Sequence, residues 1–199
     1  MADWTINADS NPRHYRSRSG ASTPAIRYFQ EATCASTAVI KRGDIVSNDT
    51  VVTTGGFRIV RAPLGGTTGA AAEFNILATT NVLGIAVEGS TSDGSTAGLT
   101  AGNLNQAGNR MIGVMISEPD VEYIGYLIGT NNATGSSLIG ALKAVRYDST
   151  NHIWGIDSTN STAALASVVI TDVPLETVGD TNGPVVFKFL STGVSPAVR

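Results

Sequence analysis

Residues 38–46 read Ala-Val-Ile-Lys-Arg-Gly-Asp-Ile-Val. Residues that favour strands stand on both sides of Arg42-Gly43-Asp44, and Gly and Asp are typical turn residues. Residues 82–87 read Val-Leu-Gly-Ile-Ala-Val, an apolar segment with the length of a buried strand. These two segments predict β-structure built from short strands and tight turns.

The same pattern extends in both directions along the chain. Strands are predicted in the segments 25–30, 37–41, 45–46, 50–53, 56–60, 81–88, 110–116, 121–128, 138–147, 152–156, 165–173 and 184–190. Residues 63–69 are predicted to form a loop, and residues 70–78 either about two helical turns or an irregular connection. The predicted fold class is all-β: a small barrel or sandwich of about ten short strands, with an extended N-terminal arm and little helix.

The composition agrees with this fold class. Of 199 residues, 42% are hydrophobic, which is enough for a core and argues against global disorder, and only 15% are charged. Ser, Thr and Gly are abundant, with 18, 23 and 22 residues, whereas helical bundles favour Ala, Leu, Glu and Lys. We divide the chain into an arm (1–24), a β domain (25–190) with a long loop insert (89–108), and a C-terminal tail (191–199).

The net charge of −3 is unevenly spread, but neither part of the chain carries a strong field. Residues 1–61 hold eight Arg and Lys against five Asp and Glu, and residues 62–199 hold five against eleven. Nucleic-acid-binding domains present a basic face, which the main body lacks. No apolar segment approaches the ~20 residues that span a bilayer, and no secretory signal is visible. We therefore expect neither nucleic acid nor membrane as a partner, and a protein that is made and used without crossing a membrane.

The residues that could carry catalysis or bind a metal are few and isolated. A single cysteine, Cys34, excludes an intrachain disulfide and a multi-cysteine zinc site, and its small neighbours indicate a buried apolar residue. A catalytic thiol would need an activating base, for which only His14 and His152 are available. Neither histidine has further ligands at metal-binding spacing.

Four short motifs are better explained as turns or loops than as catalytic or ligand-binding sites. Asp-Ser-Thr-Asn occurs at 148–151 and 157–160, and neither copy fits the frame of a calcium loop, whereas Asp and Asn side chains initiate turns. Three acids at 118–122 surround Pro119, which predicts a solvated turn. The Gly-rich segment 65–69 lacks the Lys that follows in a phosphate-binding loop. No catalytic, cofactor-binding or metal-binding residue is predicted, and we expect no enzymatic activity.

The N-terminal arm carries residue types that are typical of binding surfaces. Trp4 and Tyr15 stand among polar residues, and basic groups are concentrated between Arg13 and Arg18. Aromatic and Arg side chains dominate the energetics of protein interfaces, so this pattern predicts that the arm docks on another surface. The alternative is a disordered terminus, which is common at the start of a domain.

Several segments together resemble the small capsid decoration, or cement, proteins of tailed bacteriophages. In those proteins a Lys-x-Gly-Asp-hydrophobic-Val turn opens a small barrel, as at residues 41–46, and a Val-Leu-Gly-Ile-Ala strand follows later, as at 82–86. The late hairpin with Tyr147, Trp154 and Asp157, closed by residues 185–190, is also similar to phage structural proteins. The resemblance covers about residues 38–90 and 138–190, and its motifs occur in many other barrels.

The resemblance implies a non-enzymatic protein on the outer surface of an icosahedral head, made in the host cytoplasm and present in the virion. Its expected partner is the major capsid protein, whose neighbouring subunits it would bridge, and a homo-oligomer is expected, with a trimer favoured. No cofactor is implied. The expected docking residues, through apolar anchoring and through pairing with acidic groups of the shell, are Trp4, Arg13, Tyr15, Arg16 and Arg18.

Other function classes remain open from sequence. A tail, fibre or head-fibre module would predict binding to a host carbohydrate or receptor. An enzyme with an unrecognised site would be found by activity screening. A bacterial surface module is disfavoured by the missing export signal.

Overall fold

The fold is almost entirely β, as predicted. The computed structural model describes residues 11–17, 24–31, 40–48, 58–61, 64–67, 73–76, 82–89, 111–118, 120–130, 133–148, 151, 153–159 and 166–190. Within these ranges the only helical elements are two single 3-10 turns, at Ser136–Leu138 and Leu175–Thr177. The strands are β1 (Arg13–Ser17), β2 (Ile26–Glu31), β3 (Ile45–Asn48), β4 (Arg58–Arg61), β5 (Leu64–Thr67), β6 (Glu73–Ile76), β7 (Val82–Ala86), β8 (Met111–Ile116), β9 (Val121–Ile128), β10 (Leu142–Asp148), β11 (Ile153–Asp157), β12 (Val168–Asp172) and β13 (Pro184–Phe189).

Five strands of the first half form a closed barrel in the order β2-β4-β3-β7-β8, which we call the first barrel. Its β2–β4 pair is parallel and its other pairs are antiparallel. Its interior is filled by small and branched apolar side chains, with Phe29 packed against them: Ile40, Val46, Leu83, Ala86, Ile112, Val114 and Ile116.

The remaining strands form a larger sheet in the order β1-β9-β13-β12-β10-β6-β5. Strand β11 pairs with β10 on one side and with β9 on the other, so the pairings of β9, β13, β12, β10 and β11 also form a closed ring. We call this ring the second barrel. Only its β11–β9 pair is parallel.

The two barrels have the same topology. When the five strands of each are numbered along the chain, both rings run 1-3-2-4-5, and in both the parallel pair joins strands 1 and 3. In both, strand 2 follows a turn with a left-handed glycine, Gly43 (φ 88°) or Gly140 (φ 83°). The amide of the next residue in each turn donates to a carbonyl three residues earlier, Asp44 to Lys41 and Ala141 to Leu138.

The strand registers also match around the whole ring. We take Gly43 as equivalent to Gly140 and follow the paired residues from strand to strand around each ring. Residues that pair with equivalent residues are then themselves equivalent. The equivalent residues are, in ring order, Ile45 and Leu142, Ile85 and Val169, Val114 and Phe187, Arg27 and Tyr123, Ile59 and Ile156, and finally Asn48 and Val145. Asn48 and Val145 are as far apart along the chain as Gly43 and Gly140, so the register closes without a slip. The second barrel is therefore a structural duplicate of the first.

The prediction for residues 63–78 is wrong. The segment contains strands β5 and β6, which pair with each other, and β6 pairs with β10 through Phe74 opposite Tyr147. Hydrogen bonds to a distant strand outweigh the weak helix propensity of Ala, Glu and Leu. The β5–β6 hairpin thus connects the chain of the first barrel to the sheet of the second. The predicted insert, apart from residue 89, and the tail 191–199 lie outside the described residues.

The barrels pack through an apolar face of the first barrel. Ile45, Val82, Ile85 and Met115 belong to the same buried cluster as the interior side chains of the second barrel, whereas their strand neighbours fill the first. Strands β3 and β7 are thus buried on both sides, which explains the unbroken apolar run at 82–87.

A polar contact lies at the same junction. Trp154, fully buried on β11, donates from Nε1 to Oδ1 of Asp44 at 2.9 Å. The second carboxylate oxygen of Asp44 accepts the Lys41 amide at 2.8 Å, and Asn11 Oδ1 accepts the Trp154 amide at 2.9 Å. The turn predicted from residues 41–46 thus accepts a hydrogen bond from the indole of Trp154 in the second barrel.

Gly84 should tolerate no side chain. A Cβ at this position would overlap the backbone carbonyl of Met115 on the neighbouring strand, so one of the two paired backbones would have to shift. We expect Gly84→Ala to lower the free energy of unfolding by about 1–3 kcal/mol, measured by urea denaturation. Gly135→Ala is the control, because its Cβ would meet nothing closer than 3.7 Å. Equal midpoints for the two variants would contradict this account of β7–β8 packing.

The Asp44–Trp154 contact should appear as a coupling energy. Asp44→Ala leaves the buried indole N–H without this acceptor, and we expect a cost of about 1–3 kcal/mol. In a Trp154→Phe background the same substitution should cost less, by about 0.5–3 kcal/mol. Urea unfolding of the four proteins of this cycle measures the difference, and additive costs would show that the hydrogen bond contributes nothing.

Candidate partner-binding surface

Part of the predicted arm is built into the fold. Strand β1 pairs antiparallel with β9, from Arg13 opposite Ile124 to Ser17 opposite Val121, with an irregularity between His14 and Arg16. Of the five residues predicted to dock on a shell, three therefore lie on one strand. Trp4 and Arg18 lie outside the described residues.

Arg16 anchors this strand. Its Nε donates to Oε2 of Glu122 on β9, whose side chain is fully buried, and its Nη2 lies 3.5 Å from Oδ2 of Asp172. The hydrogen bond to Glu122 raises the pKa of Arg16, so the guanidinium stays charged. A buried carboxylate is stable only when it is paired, and the arm supplies the pairing group.

The same contact corrects one prediction. Residues 118–122 are not a solvated turn throughout, because Glu122 is part of β9 and lies beneath Arg16. Glu118 and Asp120 are half-buried in the tight connection that precedes β9. The next residue, Tyr123, points into the second barrel, where its hydroxyl donates to the Ile116 carbonyl at 3.0 Å. Burial raises the pKa of this hydroxyl, which therefore remains protonated.

The other two predicted docking residues on β1 face solvent. Arg13 is exposed, and the Tyr15 side chain is 45% exposed. The Arg16 guanidinium carbon lies 5.2 Å from the centre of the Tyr15 ring, within cation–π range. The backbone pairing of β1 and the ion pair of Arg16 thus hold Arg13 and Tyr15 in ordered, accessible positions.

A second group of exposed side chains lies on β2 and was not predicted. Ile26 is 53% exposed and Tyr28 is 63% exposed, with Arg27 exposed between them. Strand β1 ends at Ser17 opposite Val121, and the Ala25 carbonyl before β2 accepts the Ile116 amide, so both strands are attached next to the connection between β8 and β9. We call the exposed side chains of these two strands the N-terminal surface: Arg13, Tyr15, Ile26, Arg27 and Tyr28. The sequence predicted a strand at 25–30, but not that these side chains are exposed.

The polar motifs at 148–151 and 157–160 form turns where they are described. The Asp148 carboxylate accepts the Asn151 amide at 3.2 Å and its side-chain Nδ2 at 2.6 Å. Asp157 accepts the Thr159 amide at 3.0 Å.

Cys34 and His152 lie outside the described residues. In the part of the chain that the structure covers, no three His, Cys, Asp or Glu side chains group into a metal site. None of its helices is long and apolar enough to cross a membrane.

Comparison with protein-family models, with curated proteins and with solved structures found no match to this chain. The N-terminal surface is therefore interpreted from its own chemistry.

The Arg16–Glu122 pair should hold β1 on β9. Arg16→Ala removes the ion pair to a buried carboxylate, and we expect a loss of about 1–3 kcal/mol in the free energy of unfolding and faster amide exchange at residues 13–17. Adding Glu122→Gln should recover part of the loss, since a neutral amide costs less to bury than a carboxylate.

Urea denaturation and hydrogen–deuterium exchange measure both effects. Arg42→Ala is the matched control, because Arg42 is an exposed arginine on the first barrel. A double variant that is no more stable than Arg16→Ala would show that the buried charge is not the cause.

Proposed function

We propose that this protein is a virion structural protein that binds the outer surface of an icosahedral phage head and stabilises the capsid by bridging major capsid subunits. The observation that supports this most directly is the N-terminal surface, on which two strands present exposed tyrosine, isoleucine and arginine side chains on an ordered backbone. The resemblance of residues 41–46 and 82–86 to capsid decoration proteins supports the same class.

Ordered anchors suit repeated binding to a shell. Binding pays for every side chain or segment that becomes fixed, so residues already held by strand pairing lose less on docking. A modest contact then suffices, because a shell offers many identical sites and a linked second contact adds avidity without new chemistry. The pairing of β1 with β9 provides this order for Arg13 and Tyr15.

The residues take different roles in this proposal. Tyr15, Ile26 and Tyr28 serve as apolar anchors, and Arg13 pairs with acidic groups of the major capsid protein. Arg16 is already paired with Glu122 and Asp172, so its main role is to position β1. Trp4 and Arg18 stay proposed docking residues on sequence grounds. Neither nucleic acid nor membrane is a proposed partner, and a homo-oligomer, with a trimer favoured, is the proposed assembly.

Co-sedimentation with expanded phage heads that lack the protein tests the proposal. We expect saturable binding with a fixed number of copies per capsid subunit. Arg13→Ala combined with Tyr15→Ala should weaken binding at least about tenfold, since two interface anchors commonly carry more than 1.4 kcal/mol. Arg42→Ala removes an exposed arginine elsewhere and should leave the affinity unchanged.

Two results would overturn the proposal. A folded protein that does not sediment with heads would exclude decoration and favour a tail, fibre or head-fibre module, to be tested by binding to host carbohydrate. Binding that survives the loss of Arg13 and Tyr15 unchanged would remove the N-terminal surface from the contact.

A further inference from the structure

The second barrel carries an added strand on its first strand, β9. Strand β1 lies antiparallel on the first half of β9, with Arg16 opposite Glu122 and Arg13 opposite Ile124. Because β13 occupies the other edge of β9, β1 and β11 share this one. The Glu122 side chain is fully buried and Ile124 is half-buried. An extended segment thus completes this edge and covers its side chains.

The first barrel has the same edge, and none of the described strands completes it. By register, Ile26 and Tyr28 on β2 are equivalent to Glu122 and Ile124 on β9. Strand β8 pairs along one edge of β2, whereas β4 pairs with the other edge only from Gln30 onward. We call this second edge, at residues 26–29, the free edge. The Ile26 and Tyr28 side chains are both more than half exposed.

The free edge presents backbone groups for strand pairing. The Ile116 amide on β8 donates to the Ala25 carbonyl. Along a strand, residues that bond to one neighbour alternate with residues that bond to the other. Arg27 therefore bonds to β8, and the amides and carbonyls of Ile26 and Tyr28 point to the free edge. An uncovered edge of this kind is a template for aggregation, and native proteins usually cover it.

We propose that residues 3–7 of the same chain lie antiparallel on the free edge in the free protein, as β1 lies on β9. This segment precedes the described residues and reads Asp-Trp-Thr-Ile-Asn. Alternate residues of a strand face one side, so Trp4 would stand opposite Tyr28 and Ile6 opposite Ile26. Aromatic and β-branched pairs directly across an antiparallel pair of strands stabilise it.

Charge favours this occupant over strands of a second copy. Residues 1–10 hold Asp3 and Asp9 and contain no Lys, Arg or His. In the proposed register Asp3 lies diagonally from Arg27, which is exposed. A two-fold pairing of β2 with its own copy would set Arg27 against Arg27, and β1 of another copy would add two further arginines, so both oppose like charges.

The segment is long enough to reach the free edge within one chain. Asn11, the first described residue, lies with its side chain against Gly43. The Gly43 amide bonds to β7, and β8 separates β7 from β2. Gly43 is therefore about 14 Å from Tyr28 along the sheet, and about 19 Å from a strand on the free edge. The chain from Trp4 to Asn11 can extend to about 23 Å.

This cover adds a regulatory step to the proposed function, and only that step depends on the proposed function. Docking on a shell through Ile26 and Tyr28 would displace residues 3–7 from the free edge. Displacement would also release Trp4 for the docking role proposed from sequence. The segment would thus keep the N-terminal surface from associating with other copies before the shell is met.

Amide-resolved hydrogen–deuterium exchange of the full chain, measured by NMR, tests the cover. Trp4→Ser combined with Ile6→Ser should speed exchange at the Ile26 and Tyr28 amides by about tenfold or more, because two cross-strand pairs are lost. The Arg27 amide bonds to β8 and should keep its rate in both proteins. Equal rates at Ile26 and Tyr28 in the native protein and the double variant would overturn the proposal.

Thr5→Ser is the matched control variant for this measurement. In the proposed register Thr5 faces away from the side that carries Ile26 and Tyr28, so the exchange rates of both amides should match those of the native protein. A tenfold increase in this variant as well would overturn the proposed register.

A disulfide tests the register and the identity of the chain. In a Cys34→Ala background, Asn7→Cys combined with Ala25→Cys would place two thiols directly opposite each other. Oxidation with glutathione disulfide should link them within one chain, giving a monomer without free thiols on a non-reducing gel. Disulfide-linked dimers would show that the segment lies on a neighbouring copy, and unreacted thiols would show that it lies elsewhere. Either result would overturn the proposal.

These measurements use the free protein, whereas shell binding is read with heads and with Arg13 and Tyr15. Failure of one proposal is therefore distinguishable from failure of the other.

Discussion

The buried hydrogen bond between Trp154 and Asp44 is the contact on which the arrangement of the two barrels depends. One residue serves three purposes here: Asp44 closes its turn through the Lys41 amide, pairs with β7 through its carbonyl to Ala86, and accepts the indole N–H. Apolar burial between the barrels is favourable but has no direction. An indole has a single donor, and leaving it unpaired in an apolar interior is costly, so this bond selects one orientation of β11 against β3.

Much of the fold was predictable because its signals are local. The turn at 41–46, the buried strand at 82–87 and the strand at 121–128 follow from apolar runs and turn residues. The β5–β6 hairpin was not predictable, since the residues that stabilise it are on β10. The duplication was hidden as well. A barrel interior requires only apolar side chains of suitable size, so equivalent positions diverge, as with Val114 and Phe187 in strand 5.

The candidate site, like the fold, was predictable only in part from the sequence. From sequence alone, aromatic and arginine residues in the arm predict a binding segment. The partner of Arg16 is 106 residues away, and no local pattern shows that a guanidinium covers Glu122. Likewise Ile26 and Tyr28 alternate as in any half-buried strand, and only the barrel closure shows that this side is uncovered. Local patterns predict the proposed binding segment, whereas long-range contacts decide which of its side chains are exposed and which hold the strand in place.

The two barrels differ most at one pair of equivalent faces. In the first barrel Ile45, Ile85 and Met115 belong to the cluster shared with the second barrel and are buried. By strand register, the equivalent positions of the second barrel hold Leu142, Val169 and Lys188, of which Leu142 is exposed and the other two are half-buried. Lys188 in place of Met115 fits a face in contact with water, because its aliphatic stem can cover apolar surface while its ammonium group stays hydrated. The duplicated topology is thus kept, whereas the side chains of the same face follow its surroundings.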